Sequence, residues 1–225
     1  MQRHIFITLA ALALSTVAFS QAIDTATPDA FQIRYVGNLN SDTNAVSSGG
    51  TASSLVVNIT NSGTGANFNA QGKDGQICIN VYGFDAAEEL LSCCTCTVTP
   101  NGLIHLSVVN DIAGNLLTRG TPNELVIKLL ATRTNNKGTT CDAGNNYGVS
   151  DLISGMRAWG TTLHFAPGNT TTATALTEGA FLNGGLSQSE LNHITSFCGF
   201  IEANGSGFGV CSSCRSGALG GAKAN

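Results

Sequence analysis

Short runs in which apolar and polar residues alternate cover most of the chain. The run at 31–37 places Phe31, Ile33 and Tyr35 on one face, with polar residues between them. A period of two residues is typical of a β-strand with one buried face. Runs of similar length and pattern predict further strands at residues 54–61, 75–84, 90–99, 103–110, 124–133, 156–166 and 172–182.

Turn-forming residues separate these runs, and no long helix interrupts them. The strongest turn signals are Ser62-Gly63, Pro100-Asn101-Gly102 and Pro167-Gly168. We expect the segment Asp85–Glu89 to close a hairpin between the runs at 75–84 and 90–99. Many short strands with frequent turns predict an all-β fold, an immunoglobulin-like or pilin-like β-sandwich.

The last forty residues or so follow a different pattern. Ser187 and Glu190 have the spacing of a capping box, in which each side chain bonds the other's backbone N–H. Apolar residues then recur at helical spacing, and Asn204-Gly205 supplies a stop signal. This pattern predicts a short helix over 188–203 with Cys198 on its buried face, followed by a Gly-rich tail.

The beginning of the chain has the features of a secretory signal peptide. Arg3 and His4 precede an apolar stretch, and small residues follow at Ala18, Ser20 and Ala22. The apolar stretch is shorter than the roughly 20 residues of a membrane span, so we expect cleavage after Ser20 or Ala22 and no span afterwards. The predicted organisation is a signal peptide at 1–22, a flexible leader at 23–30, a β-sandwich domain at 31–185 and a C-terminal helix with a Cys/Gly-rich tail at 186–225.

Eight cysteines follow the predicted signal peptide. An even number in an exported chain is typical of a disulfide framework. The candidates are Cys78, Cys93, Cys94, Cys96, Cys141, Cys198, Cys211 and Cys214. Their connectivity stays open, but neighbouring residues of a strand point to opposite faces, so Cys93 and Cys94 are expected to have different partners.

Two local pairings are favoured by the predicted elements. A hairpin turn centred near residues 86–87 would bring Cys78 close to Cys94 or Cys96, with Cys141 as the alternative partner of Cys78. On the C-terminal helix, Cys198 is expected to bond to one cysteine of the tail. Cys93, Cys94 and Cys96 together with the tail cysteines could instead bind zinc, but an oxidising compartment favours disulfides. We therefore predict no metal and no cofactor.

Composition and motifs narrow the function further. Charged residues make up 11% of the chain and the formal net charge is −4, which argues against a nucleic-acid binder that neutralises phosphates with Lys and Arg. Nucleophile motifs such as GxSxG and SxxK do not occur. The histidines His105, His164 and His193 lack the spacing of a metal site. No catalytic residues are predicted.

Two segments resemble parts of exported, cysteine-rich bacterial proteins of no known activity. The resemblance covers the ending CGFIEANGSGFGVCSSCRSGALGG and extends to the segment CINVYGFDAAEELLSCCTC. It implies export and a bacterial origin, but it gives no indication of what the protein does.

Three functional hypotheses follow, in this order. The first is a secreted, non-enzymatic structural or surface protein, a self-assembling filament or adhesive subunit. Its assembly strand would be the run with Phe31, Ile33 and Tyr35, added to a neighbour's sheet edge, although the same strand could pair within its own domain. The second is a secreted carbohydrate-binding module that uses exposed aromatic residues, with candidates Trp159, Tyr147, Tyr82 and Tyr35. The third is a secreted hydrolase.

Overall fold

A computed structural model describes residues 29–37, 39, 55–64, 75–118, 120, 122–134, 141–165 and 173–214. The predicted signal peptide, all but the last two residues of the predicted leader, and the end of the Gly-rich tail lie outside the described residues.

Five strands form the first antiparallel sheet, which we call sheet 1. They are β1 (Phe31–Val36), β3 (Ile77–Phe84), β4 (Leu90–Val98), β6 (Leu125–Thr132) and β9 (Leu182–Asn183), in the spatial order β4-β3-β6-β1-β9. The β3–β4 hairpin closes at Asp85–Glu89 as predicted, with Cys78 opposite Thr97 and Tyr82 opposite Cys93.

Four strands form the second antiparallel sheet, sheet 2. They are β2 (Leu55–Asn61), β5 (Leu103–Ser107), β7 (Met156–Phe165) and β8 (Ala173–Ala180), in the order β5-β2-β7-β8. The one α-helix among the described residues, α1, spans Gln188–Asn204. Short helical turns at Val108–Ile112 and Val149–Asp151 connect strands. The two sheets confirm a β-sandwich-like, mostly β-sheet architecture with a short C-terminal helix.

Two hydrophobic cores divide the molecule into three layers. The main core lies between the sheets and contains Val57 and Ile59 from β2 with Ile79 and Val81 from β3. The second core lies on the other face of sheet 1, where α1 packs against it through residues such as Leu191. Most of sheet 1 is therefore covered on both faces, and every residue of β3 and β4 is buried, while Tyr35 of β1 and Leu182 of β9 are exposed. Sheet 2 has one covered face.

The predicted helix is confirmed within one residue at its C-terminal end. Ser187 is its N-cap, and the Ser187 Oγ accepts a hydrogen bond from the backbone N–H of Glu190 at 3.1 Å. Gly205 ends the helix in the left-handed conformation with φ +69°, which glycine adopts without a steric cost.

The structure also departs from the predicted elements in two places. The strand expected over 103–110 ends at Ser107, because the Asp111 carboxylate accepts a hydrogen bond from the backbone N–H of Ser107 and the Ser107 Oγ accepts one from Asn110. These bonds turn the chain into the helical turn at 108–112. The strand expected over 172–182 ends at Ala180, and Leu182–Asn183 form the separate two-residue strand β9 in the other sheet.

All eight cysteines are joined in four disulfides, which are Cys78–Cys141, Cys93–Cys198, Cys94–Cys211 and Cys96–Cys214. The different partners expected for Cys93 and Cys94 are confirmed.

Two favoured pairings are wrong. Cys78 bonds to the alternative partner Cys141, because the register places Cys78 opposite Thr97. Cys78 therefore points to the outer face of sheet 1, while Cys94 and Cys96 point to the inner core. Cys198 bonds to Cys93 rather than to the tail, because Cys93 is the β4 cysteine that faces α1.

An arginine links the two sheets on the side away from the disulfides. The side chain of Arg34 in β1 extends to β8, where Nη1 donates a hydrogen bond to the backbone oxygen of Gly179. A Cβ atom on Gly160 or Gly179 would lie 2.6 Å or 2.5 Å from an Arg34 nitrogen. The two glycines face each other across β7 and β8 and make room for this side chain.

Candidate functional site

The residues of the predicted assembly strand lie within a sheet of their own domain. β1 pairs with β6 along its whole length and with β9 at Gln32 and Ile33. Phe31 is buried, Ile33 is partly buried, and Tyr35 is exposed with its hydroxyl 2.6 Å from the Glu124 carboxylate. This hydrogen bond raises the pKa of the Tyr35 phenol above its ordinary value.

The cysteines do not form a thiolate metal site. Within the described part of the chain, one group of potential ligands comes close enough to hold an ion, and it consists of Cys93, Cys198 and Glu202. Cys93 and Cys198 are bonded to each other, so neither sulfur offers the thiolate that zinc requires. The tail cysteines of the zinc alternative are likewise bonded to Cys94 and Cys96.

The solvent-facing side of sheet 2 carries a continuous chain of hydrogen-bonded side chains, which we call the polar row. It contains His105, Asn58, Thr161 and Glu178, one from each strand. The His105 Nδ1 lies 3.0 Å from the Asn58 Oδ1, the Asn58 Nδ2 donates to the Thr161 Oγ1 at 2.9 Å, and the Thr161 hydroxyl donates to the Glu178 Oε1 at 3.2 Å. At the usual strand spacing the row is about 14 Å long.

The row forms because of strand alternation. Val57 and Ile59 point into the core, so Asn58 between them points to solvent. The register places His105 opposite Asn58 and Glu178 opposite Thr161. Asn58 and Thr161 are diagonal neighbours, since Thr161 is opposite Val56, and the shared outward alternation brings all four polar side chains onto one face.

Trp159 lies beside the polar row on the same face. It is opposite Asn58 on one side and opposite the small residue Ala180 on the other. The indole is partly buried. An aromatic face next to amide, hydroxyl, imidazole and carboxylate groups can contact the apolar side of a ring while donating and accepting hydrogen bonds at its edge.

A second concave region, the α1 cleft, lies at the corner of sheet 1 that α1 leaves uncovered. It has a volume of about 360 Å³. Its walls come from β1, β6, the β3–β4 turn and the first turns of α1. The lining residues are Phe31, Ile33, Phe84, Asp85, Glu88, Val126, Lys128, Gly185, Glu190 and His193.

Glu202 and Asp142 form an acidic pair that sequence reasoning missed, and Glu202 lies near the Cys93–Cys198 disulfide. The Glu202 Oε2 lies 2.6 Å from the position that a Cβ on Gly144 would occupy. Desolvation of the Glu202 carboxyl by its neighbours, together with its hydrogen bond to Asp142 and that residue's charge, raises its pKa from 4.5 to about 7. Burial likewise raises the pKa of the Tyr82 phenol beneath α1.

Trp159 was predicted as a binding candidate, and Phe31 and Ile33 of the α1 cleft were predicted only as part of an assembly strand. The other members of the polar row and the cleft were not predicted as site residues. His105 lies in the run at 103–110 and Asn58 in the run at 54–61, so their outward positions could be read from the alternation. Their strand neighbours could not, because the order β5-β2-β7-β8 is not a sequence order. Of the other three aromatic candidates, Tyr35 is exposed, whereas Tyr82 and Tyr147 are buried and donate hydrogen bonds to the backbone oxygens of residues 143 and 142.

Comparison with known proteins finds no match for this chain among family models, curated proteins or solved structures. None of the helices described by the structure has both the length and the apolar character needed to cross a membrane.

Proposed function

We propose that this protein is an exported, non-enzymatic surface adhesin, built on an immunoglobulin-like or pilin-like sandwich, that binds a neutral polysaccharide through the outer face of sheet 2. The observation that carries the proposal is the polar row next to Trp159. A neutral sugar presents hydroxyl groups that both donate and accept hydrogen bonds and a C–H face that packs on an aromatic ring. The polar row and Trp159 supply these two kinds of contact side by side.

Export is part of the proposal and rests on two supports. The first segment has the pattern of a signal peptide. The four disulfides are typical of an oxidising compartment outside the cytoplasm. A surface protein with covalently linked layers also resists local unfolding where no chaperone is present.

A binding function is favoured over glycoside hydrolysis by the carboxylates available on this face. Glycosidases of most families require two carboxyl groups about 5–9.5 Å apart. Glu178 is the one acidic residue in the four strands of sheet 2, and its carboxylate already accepts a hydrogen bond from Thr161. A single carboxylate can bind a hydroxyl group but cannot supply the acid and the nucleophile together.

The test is retention on insoluble neutral polysaccharides, with cellulose, chitin and starch as the probes. We expect the purified protein to bind at least one of them and Trp159→Ala to lower the affinity by about tenfold, the size of one lost aromatic contact of 1–1.5 kcal/mol. Phe200→Ala is the control, since Phe200 is an exposed aromatic residue on α1. Equal affinities for the wild type and Trp159→Ala would contradict the proposal.

A second candidate function, self-assembly, is favoured by the edge of sheet 2. Among the described residues, β8 pairs with β7 on one side and with no strand on the other, and Leu176 near its middle is 62% exposed. Unpaired edges can add a strand from another molecule. We therefore propose β8, in place of β1, as the assembly strand. Light scattering on a sizing column should show oligomers that Leu176→Lys disperses, and a monomeric wild type would contradict this.

A further inference from the structure

We propose that the α1 cleft is a second binding site, and that it takes a small organic amine in which an ammonium group is attached to an apolar body. The site belongs to the outer face of sheet 1 and shares no residue with the polar row. It therefore does not depend on the function proposed for sheet 2. Three features of the cleft carry the inference.

The first feature is an apolar floor that α1 does not cover. Ile33 and Lys128 are paired across β1 and β6, and Val126 and Phe84 are paired across β6 and β3. These residues and Phe31 line the cleft. Most of the other side chains on this face are covered by α1 and by the segment at 141–152. The apolar body of a ligand would complete the coverage at this corner and remove the remaining apolar surface from water.

The second feature is an ammonium group that the cleft already stabilises. The Lys128 Nζ lies 4.5 Å from the centre of the Phe84 ring and 2.6 Å from the Glu190 Oε1. An aromatic face and a carboxylate are the two groups that attract a cation in a partly desolvated site. Lys128 itself fills the ammonium position on this wall, so the ammonium group of a ligand would bind at the opposite wall.

The third feature is a surplus of negative charge on the opposite wall. Glu190 is neutralised by Lys128, while Asp85 and Glu88 from the β3–β4 turn also line the cleft. The Asp85 Oδ1 accepts hydrogen bonds from the backbone N–H groups of Ala87 and Glu89 at 2.9 Å. These bonds hold the turn, and with it Glu88, at the rim. A cationic ligand matches this charge, and an anionic ligand would be repelled.

The size of the cleft limits the ligand to a small molecule. A volume of about 360 Å³ lies at the low end of the range for small-molecule sites. An amine with one ring or a short alkyl chain fits the apolar floor and still reaches the β3–β4 turn. A lysine side chain of a protein partner has the same ammonium group but lacks the larger apolar body, so the small amine is the better match.

The test compares three probes that share an apolar body and differ in their charged group. 4-Phenylbutylamine, 4-phenylbutanol and 4-phenylbutanoate are titrated into the oxidised full-length protein by calorimetry. We expect the amine to bind at least about fivefold more tightly than the alcohol and the carboxylate to bind most weakly, as charge attraction at a partly exposed site predicts. Equal binding of the amine and the alcohol, or no binding of the amine, would overturn the proposal.

A pair of neighbouring variants locates the site. Glu88→Gln and Glu89→Gln each remove one negative charge from the same turn, but Glu88 lines the cleft and Glu89 does not. Glu88→Gln should weaken amine binding about threefold or more, and Glu89→Gln should leave it close to the wild-type value because salt screens the more distant charge. Equal losses in the two variants would show a general charge effect and overturn the assignment. Melting curves of both variants check that the fold is kept.

Discussion

The two sheets of this molecule are built in opposite ways. Sheet 1 contributes a cysteine to every disulfide, one from β3 and three from β4, and most of both its faces is covered. The strands of sheet 2 contain no cysteine, and one face of that sheet is open to solvent. The difference supports the proposed function, in which sheet 1 is the covalently fixed support and sheet 2 presents a binding surface.

The edges of the sheets differ in the same way. At the edge of sheet 1, β4 is capped by the tail, because Cys93 and Val210 form a β-bridge and the Cys93 N–H donates to the Gly209 oxygen at 2.8 Å. The disulfides of Cys94 and Cys96 hold that tail in place. At the edge of sheet 2, β8 has no such cap among the described residues. The capped β4 edge and the uncapped β8 edge lie on opposite sides of the sandwich, since β8 contacts Arg34 of β1, and β8 is the edge of the two that is available for contacts.

The largest effect on stability is expected when a disulfide that joins sheet 1 to α1 is removed. The double variant Cys93→Ser with Cys198→Ser removes the bond between β4 and α1, which closes a loop of 105 residues. We expect the free energy of unfolding to fall by about 3–5 kcal/mol, because the unfolded chain gains entropy. Urea unfolding measures the loss, and limited proteolysis should detect early cleavage within α1. A loss below about 1 kcal/mol would show that packing alone fixes this layer.

A smaller loss of stability is expected from a substitution at the close contact between the segment at 141–152 and α1. A Cβ on Gly144 would lie 2.5 Å from the Cα of Gly199 in α1, so Gly144→Ala forces backbone segments apart. We expect a cost of about 1–3 kcal/mol. Gly185→Ala is the matched control, because nothing lies within 4 Å of its Cβ position. Thermal unfolding should separate the two variants, and similar melting temperatures would contradict the close packing of α1.

The pH dependence of stability tests the environment of Glu202 in the same region. The pKa of Glu202 is about 7 in the folded protein instead of 4.5, so the folded state holds this proton more tightly than the unfolded state. The protonated Glu202 carboxyl therefore adds to the free energy of unfolding below about pH 4.5, and this contribution is lost as the pH rises through 7. The free energy of unfolding, measured with urea, should therefore fall between pH 4.5 and 7.5, and Glu202→Gln should remove the part of this fall that Glu202 causes. An unchanged decline in the variant would assign it to other groups.

The smallest effect on stability is expected for a substitution in the polar row of sheet 2. Thr161→Val interrupts the polar row and should cost only about 0.5–1 kcal/mol, because its hydrogen bonds lie near solvent. The same variant should weaken polysaccharide binding. Thr162→Val changes the next residue, which points to the other face of β7, and should preserve binding. If Thr162→Val lowered binding as much as Thr161→Val, the polar row would not be the contact surface.

The all-β architecture, the eight longer strands and α1 could be predicted because each rests on local patterns: alternation, turn residues and caps. The disulfide of Cys78 could not, because it depends on hairpin parity, and a shift in register moves a side chain to the other face. The polar row depends on the pairing of β2 with both β5 and β7. The α1 cleft depends on where α1 stops covering sheet 1. These are long-range relationships, which a single sequence does not encode in its local pattern.

Hydrogen exchange measured by mass spectrometry, with and without a bound oligosaccharide, tests the division between the two sheets most directly. The ligand should be a soluble fragment of whichever polysaccharide retains the protein. The account predicts slower exchange in peptides from β2, β5, β7 and β8 on binding, with no change in β3 and β4, which should already exchange slowly. Protection confined to β3, β4 or α1, or spread equally over both sheets, would contradict it.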